Sequence, residues 1–364
     1  MRRTFTAGLG AILLAAISMY ADDALDSAMP VRGFCISAPR PAAVPRFIDF
    51  IDHELAARHV NTLILRVDYN YQYQSHPELS DKGALSLADV KQLVAACKKD
   101  GIHLIPQINL LGHQSFHTTD ASMLRVYPEF DETPWVKMPE HYKWPNPDHL
   151  YCRSYCPLHP KVHEVVFAIV DELCDAFEAD AFHAGMDEVF YLGEDKCPRC
   201  AGKDKAQLFA DEVTRIHDHV KQKNRALWIW GDRLIDGRIT GLGEWEASYN
   251  HTAPAIDLIP KDTVICDWHY ERADLTAPYF AMKGFDVISC PWKKASVGVQ
   301  QAEDMINWRH RGPPEIRGHL RGVMQTVWSG VDGFLDQEYK GDPSKTNQWT
   351  CFTATFATME KTAR

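Results

Sequence analysis

Phe182-His183-Ala184-Gly185-Met186-Asp187-Glu188-Val189 is a short apolar run that ends in two adjacent carboxylates, with a histidine and a glycine spaced before them. Residues two apart on a strand share a face, so His183, Gly185 and Asp187 are predicted to point inward and Glu188 to reach the rim. Two carboxyl groups this close repel when both are ionised, and partial burial adds to the repulsion. At least one pKa is therefore expected to rise, which supplies a proton donor near neutral pH. The plainer alternative is a solvated acidic pair opening a helix, where the dipole favours negative charge.

Outward from this run, with 181–185 counted as its strand, similar apolar segments recur at 33–37, 60–67, 102–108, 226–231, 263–266, 285–289 and 322–327, which makes eight. Stretches with helical spacing fall between them at 44–58, 87–99, 161–177, 206–223, 277–282 and 301–309, and a last one runs from Lys345 onward. Alternating strands and helices make a parallel sheet with crossover helices. Eight such units predict an α/β fold, a single (β/α)8 TIM barrel, whose chemistry sits on the loops at the C-terminal strand ends. The long segment 110–160, rich in Pro, Trp, Tyr and His, is expected to pack as an irregular flap over that mouth. No repeat or linker marks a second domain.

The composition, 45% hydrophobic and 24% charged over 364 residues, is that of a folded globular chain able to bury a sizeable core. A net charge of -10 without a basic stripe argues against nucleic acid as a partner. Met1-Arg2-Arg3, an apolar run over 7–20 and Ala21-Asp22-Asp23 have the layout of a secretory signal. The run is too short to span a bilayer comfortably. Residues 1–21 are thus expected to be a signal peptide and 22–364 an exported barrel, periplasmic or secreted, with no membrane span in the mature chain.

Of the ten cysteines, Cys35, Cys97, Cys174, Cys266, Cys290 and Cys351 stand singly in apolar segments and read as small core residues. Cys152 and Cys156, and Cys197 and Cys200, come as pairs in two successive mouth loops. They are expected to be a structural staple, as two disulfides or one four-thiolate zinc site, with oxidation the commoner fate in an exported protein. No catalytic metal and no cofactor is expected.

Reading just past each strand gives Arg40, Asp68 with Tyr69, Asn109 and His113, Asp187 with Glu188, Trp230 with Asp232, Trp268 with Tyr270, Trp292 and Trp328. Aromatic faces pack against the C–H surface of a sugar ring while Arg, Asp and His bind its hydroxyls, so the set suits a pyranose pocket. Taken one at a time, each tryptophan could be core packing, His113 a structural loop residue, and Asp68 and Asp267 charges satisfied by backbone.

At this point the chain resembles glycoside hydrolase family 20, the β-N-acetylhexosaminidases. His183-Ala184-Gly185-Met186-Asp187-Glu188 resembles the family's His-x-Gly-x-Asp-Glu motif at the end of the fourth barrel strand. The segment 33–40 resembles its first strand, ending in the sugar-binding arginine, here Arg40, and 101–113 resembles its third strand with the following Gly112-His113. Trp230, Trp268 and Trp328 fall where the family lines its pocket, and Cys156-Pro157-Leu158-His159-Pro160 resembles the entry to the helix before the motif. The likeness extends over about residues 32–330.

The resemblance implies an exo-acting β-N-acetylhexosaminidase acting on terminal N-acetylglucosamine or N-acetylgalactosamine of a glycan or glycoconjugate. Glu188 would be the acid and then the base, Asp187 would orient the acetamido group whose carbonyl oxygen attacks the anomeric carbon, His183 would support the pair, and Arg40 would bind ring hydroxyls. The chain departs from the family at Gln107 and Asn109, where acids are usual, at Pro291-Trp292-Lys293-Lys294, which lacks a tyrosine after strand seven, and at Gly330, where a glutamate is usual. No small β-sheet domain precedes the barrel, so the expectation is a single-domain, divergent member. The alternatives are a two-carboxylate glycosidase with Asp232 or Asp267 as the opposing acid, and a sugar-binding barrel without turnover. A metal-dependent hydrolase ranks below both, since no His-Glu-x-x-His occurs.

Overall fold

Eight parallel strands close into a barrel in chain order: β1 (Val31–Ser37), β2 (Thr62–Arg66), β3 (His103–Leu110), β4 (Ala181–Gly185), β5 (Ala226–Trp230), β6 (Val264–Trp268), β7 (Val287–Cys290) and β8 (Leu320–Thr326), with β8 pairing back onto β1. The structure, a computed structural model, describes residues 24–144 and 151–362. The expected signal peptide lies outside the described residues. No helix among them is long and apolar enough to cross a membrane.

Both faces of each strand are buried, which is why the strands read as nearly continuous apolar runs. One set of side chains fills the barrel: Cys35, Ile64, Ile105, Ala181, Trp228, Trp230, Cys266, Trp268, Ile288, Cys290 and Met324. The other set, including Phe34, Leu63, Leu65, Phe182, Ile229, Ile265, Val287 and Val323, packs against the helices. The two sets alternate along every strand, so the period of two decides which strand-end residues look into the mouth.

The helices follow the predicted pattern with informative differences. The first, α1 (Val44–Phe50), runs on into a π turn over Ile51–Leu55 and a 3-10 turn over Ala56–Arg58, so the expected 44–58 helix is continuous but irregularly wound. Ser86 and Asp89 cap each other reciprocally at the start of α2 (Leu87–Lys99). Then come α3 (Val162–Ala176), α4 (Lys205–Lys221), α5 (Thr276–Met282), α6 (Ala295–Arg311) and α7 (Gln348–Thr362). Between β5 and β6 the described chain makes only short turns, Asp232–Leu234, Gly237–Thr240 and Ala253–Asp257, where Gly237, Gly241, Gly243, Pro254 and Pro260 interrupt any longer helix.

The described residues between β3 and α3 include regular elements as well as the irregular chain that was expected. They form a two-stranded ribbon, Ser115–Phe116 with Thr119–Asp120, a helical turn at Ser122–Val126 and a 3-10 turn at Pro128–Phe130. Buried Arg153 ties them together, donating to Asp131 Oδ2 at 2.6 Å and to the Thr133 carbonyl at 2.8 Å.

Candidate active site

The carboxylate pair is placed by a sharp bend at the end of β4. Gly185 has φ +67°, and a Cβ there would lie 2.3 Å from Asn109 Oδ1, so the position takes only glycine without rearrangement. A Cβ on Gly112 would meet the Asp187 carbonyl oxygen at 2.9 Å and Val189 Cγ2 at 3.1 Å, so the loop after β3 can lie against the acid pair only through a glycine. Leu111, His113, Met186 and Glu188 all hold positive φ, between 49° and 71°. Such backbone is costly for residues with a Cβ and collects at sites that packing over-determines.

The bend brings His113 to both acids. His113 Nε2 stands 3.1 Å from Asp187 Oδ2 and 3.3 Å from Glu188 Oε2. Burial would lower the pKa of His113, but the Asp187 charge and hydrogen bonds to both acids raise it well above the ordinary histidine value. Burial likewise pushes the Asp187 carboxyl up, and the His113 charge and hydrogen bond outweigh it and hold it below the usual range. Asp187 and His113 are therefore an ion pair at neutral pH. The second carboxylate oxygen, Asp187 Oδ1, is buried and accepts no hydrogen bond. His183 lies inward on β4 as predicted, its ring centroid 4.7 Å from that of Trp230, its Nδ1 accepting from the Gly185 N–H at 3.0 Å. Burial holds its pKa down to about 3, so it stays neutral.

A raised pKa was expected within the Asp187–Glu188 pair; the pKa of Asp187 moves the other way because the His113 charge and hydrogen bond stabilise its carboxylate. The strand-end carboxyls that rise are Asp68, raised by burial against the hydrogen bond from the Asn109 N–H, and Asp232, pushed by burial to about 6 against the pull of Arg233. Its Oδ2 accepts from the Glu188 backbone N–H at 2.9 Å and from Arg233 Nε at 2.6 Å, and its Oδ1 from Trp268 Nε1 at 3.2 Å. Asp232 thus fastens the Glu188 backbone to the indole of Trp268. Asp267 faces the opposite way, outside the barrel, bonded to His269 and to Thr276 on α5.

The aromatic strand ends converge. Trp230 is fully buried with an unpartnered indole N–H, and its ring centroid lies 5.6 Å from Trp328. Tyr270 packs between Trp268 and Trp292, at 4.9 and 5.4 Å between centroids, and its hydroxyl accepts from Trp328 Nε1 at 2.7 Å. Trp292 donates to Gln348 Oε1 at 2.8 Å. Arg40 is not part of this cluster: half exposed, it donates to Asn70 Oδ1 at 3.0 Å and pairs with Asp81. The turn after β1 carries it outward, where Asn70 and Asp81 offer it an acceptor and a charge.

Several mouth residues were missed in the sequence. Tyr151 lies over the acids, its centroid 6.2 Å from His113, 4.6 Å from Trp245 and 5.8 Å from Phe190. Arg66 ends β2 with its guanidinium 4.4 Å from the Trp328 ring and its Nε buried without a partner. Its signal was present, since Arg66 shares the inward phase of Ile64. Tyr151 and Trp245 sit on loops with no period to read. Among the paired cysteines, Cys152 stands apart, its Sγ 3.4 Å from the Glu188 carbonyl oxygen and its pKa pushed by burial to about 11. Cys156, Cys197 and Cys200 come together, joined by Glu132 instead. All ten cysteines are free thiols, so neither expected disulfide is formed.

Comparison with known proteins agrees with this geometry. The family model described as "Glycosyl hydrolase family 20, catalytic domain" matches residues 32–349. A beta-hexosaminidase of Akkermansia muciniphila is 32% identical over 265 residues, covering 68% of this chain and 49% of its own length. Hexosaminidase D of Bos taurus is 21% identical over 294 residues, 75% of this chain and 77% of its own. This chain thus spans about half the length of the Akkermansia relative. In fold, it matches a Flavobacterium johnsoniae chitobiase at TM-score 0.61 and 17% identity, over 92% of this chain and 50% of that one. A crystal structure of a beta-N-acetylhexosaminidase gives TM-score 0.63 at 19% identity, over 90% of this chain and 71% of that one. The chain belongs to glycosyl hydrolase family 20, and its barrel is the catalytic domain of that family.

Proposed function

We propose that this protein is an exo-acting β-N-acetylhexosaminidase that removes terminal N-acetylglucosamine or N-acetylgalactosamine by substrate-assisted retaining catalysis. The observation that carries this reading is Asp187 Oδ1, a buried carboxylate oxygen without a donor, on a carboxylate kept ionised by His113. Leaving such an acceptor unpaired costs about 1–3 kcal/mol, and the N–H of a 2-acetamido group supplies the missing donor.

With that N–H held, the acetamido carbonyl oxygen attacks the anomeric carbon while Glu188 protonates the departing glycosidic oxygen. The product of this step is a bicyclic oxazolinium ion, whose positive charge the Asp187 carboxylate stabilises. Glu188, now ionised, takes a proton from water as the water opens the ring, so configuration is retained over two inversions. His113 keeps Asp187 charged and oriented, and Asp232 holds the Glu188 backbone. Trp230, Trp268, Trp292 and Trp328 supply faces for the sugar, with Tyr270 reaching in from β6 where the family places a tyrosine after strand seven. Arg40 reaches the sugar hydroxyls in this reading only by leaving Asn70 and Asp81.

The two-carboxylate alternative is weakened by the same contacts. Asp267 faces outward, and the Asp232 carboxylate is engaged by three donors. The signal-like residues 1–21 support export, periplasmic or secreted, as part of the proposal. A panel of 4-nitrophenyl glycosides tests the reading: 2-acetamido sugars should be cleaved and the matching 2-hydroxy sugars should not. Equal cleavage of both would end the proposal.

A further inference from the structure

We propose that Glu132, Cys156, Cys197 and Cys200 bind one zinc ion that clamps the loop after β3 to the loop after β4. All four side chains are buried, and their ligand atoms lie within 4.8 Å of one another. Cys156 Sγ is 3.7 Å from Cys197 Sγ and 3.5 Å from Cys200 Sγ. A tetrahedral ion with Zn–S bonds of about 2.3 Å sets neighbouring sulfurs about 3.8 Å apart. A disulfide needs about 2.05 Å and can join Cys156 to only one of its two neighbours, which would leave the third thiol and the carboxylate buried beside it.

Glu132 is the second, independent observation. Its side chain is fully buried; Oε1 accepts from the Glu194 backbone N–H at 3.2 Å, while Oε2 accepts no well-formed hydrogen bond and the carboxylate lies against the Cys197 thiol. A buried carboxylate among thiols needs a cation. Arg199 Nη1 stands 3.9 Å from Cys156 Sγ, and no ion pair among the described residues includes Glu132. Three sulfurs and one oxygen at tetrahedral spacing suit zinc, and the Cys197-Pro198-Arg199-Cys200 turn has the two-residue spacing common in structural zinc sites. On binding, the three thiols release their protons to solvent and coordinate as thiolates.

The site's position gives it a purpose. Cys156 donates its N–H to the Phe130 carbonyl, and the preceding Tyr155 donates to Leu111 at the end of β3, while Cys197 and Cys200 follow Glu188 in the next loop. The ion would pin together the two loops that meet at His113, Asp187 and Glu188. Cys152 is excluded from the ligand set because its sulfur faces the Glu188 carbonyl.

The test is zinc content by mass spectrometry of the full chain, produced in zinc-supplemented medium and purified without chelator. About one zinc per chain is expected, with cobalt(II) replacement giving thiolate charge-transfer absorption. Cys197→Ser and Cys200→Ser should abolish stoichiometric binding, Glu132→Gln should weaken it about tenfold or more, and Cys152→Ser should leave it intact. If a cysteine variant fails to fold, the wild type and Cys152→Ser still decide. Metal-free wild type that takes up no zinc after reduction overturns the proposal, as does a Cys156 disulfide to Cys197 or Cys200, or loss of zinc in Cys152→Ser.

Discussion

Glu188 Oε2 and Asp187 Oδ2 approach the same imidazole nitrogen of His113, yet their other surroundings differ. Asp187 is fixed by the ion pair and has one buried oxygen that accepts no hydrogen bond, whereas Glu188 is held through its backbone by Asp232. Replacing Glu188 with glutamine keeps the shape and removes the proton. We predict a loss in kcat of about a hundredfold or more on substrates with poor leaving groups. The loss should be smaller with an acidic phenol, and equal rates on a poor leaving group would remove Glu188 from the acid role. His183 offers a test of a different kind. The unfolded chain binds its proton near pH 6.5, the folded chain only near pH 3, so between these values the unfolded state holds more protons and stability falls as pH drops. His183→Gln keeps a hydrogen-bond acceptor and lacks that titration. The stability advantage of wild type over the variant should shrink by about 2–3 kcal/mol from pH 7.5 to pH 4.5 in urea unfolding. A difference independent of pH would mean that His183 is not held neutral in the fold.

At the scale of elements, β4 and the loop after β3 act as one unit, because Gly185 and Gly112 let their backbones touch. Gly185→Ala should destabilise by about 2–4 kcal/mol, from the positive φ and the collision with Asn109 together, read as a lower urea midpoint at unchanged slope. Adding Asn109→Ala should restore part of the loss and not all, since the Asn109 Cα, 2.9 Å from the new Cβ, and the φ remain. Full recovery would place the whole cost in one side chain and contradict the strained-turn account. Elements were legible where one period persisted: β4 was predicted at its observed bounds, and α2 likewise. Where the chain breaks its own propensity the reading failed. Helix α6 begins six positions before the predicted Gln301, through Gly298, because that glycine lets Thr355 Oγ1 approach to 2.1 Å of where a Cβ would be. A glycine that serves close helix packing cannot be told in sequence from one that ends a helix.

Over the whole molecule, the barrel alternation decided which predicted residues meet. His183, Asp187, Trp230, Asp232, Trp268, Tyr270, Trp292 and Trp328 follow inward strand phases and converge, and the bend after Gly185 adds Glu188, whereas Arg40 and Asp267 do not. The His113–Asp187 pair and the Glu132 thiol cluster were illegible because each needs two loops, far apart in sequence, to be folded onto one another. The family match covers residues 32–349, so the mouth is built entirely within the matched region. In the proposed mechanism the substrate's own acetamido oxygen is the nucleophile. The most direct measurement is kcat/KM across 4-nitrophenyl glycosides whose 2-acylamido group is acetyl, fluoroacetyl, difluoroacetyl or trifluoroacetyl. Fluorine withdraws electrons from that oxygen and leaves the sugar and leaving group unchanged, so a fall of about tenfold or more across the series is predicted, since only an interaction of the transition state responds. A flat series, with a covalent glycosyl adduct trapped on Asp232 by a 2-fluoro sugar, would contradict the account.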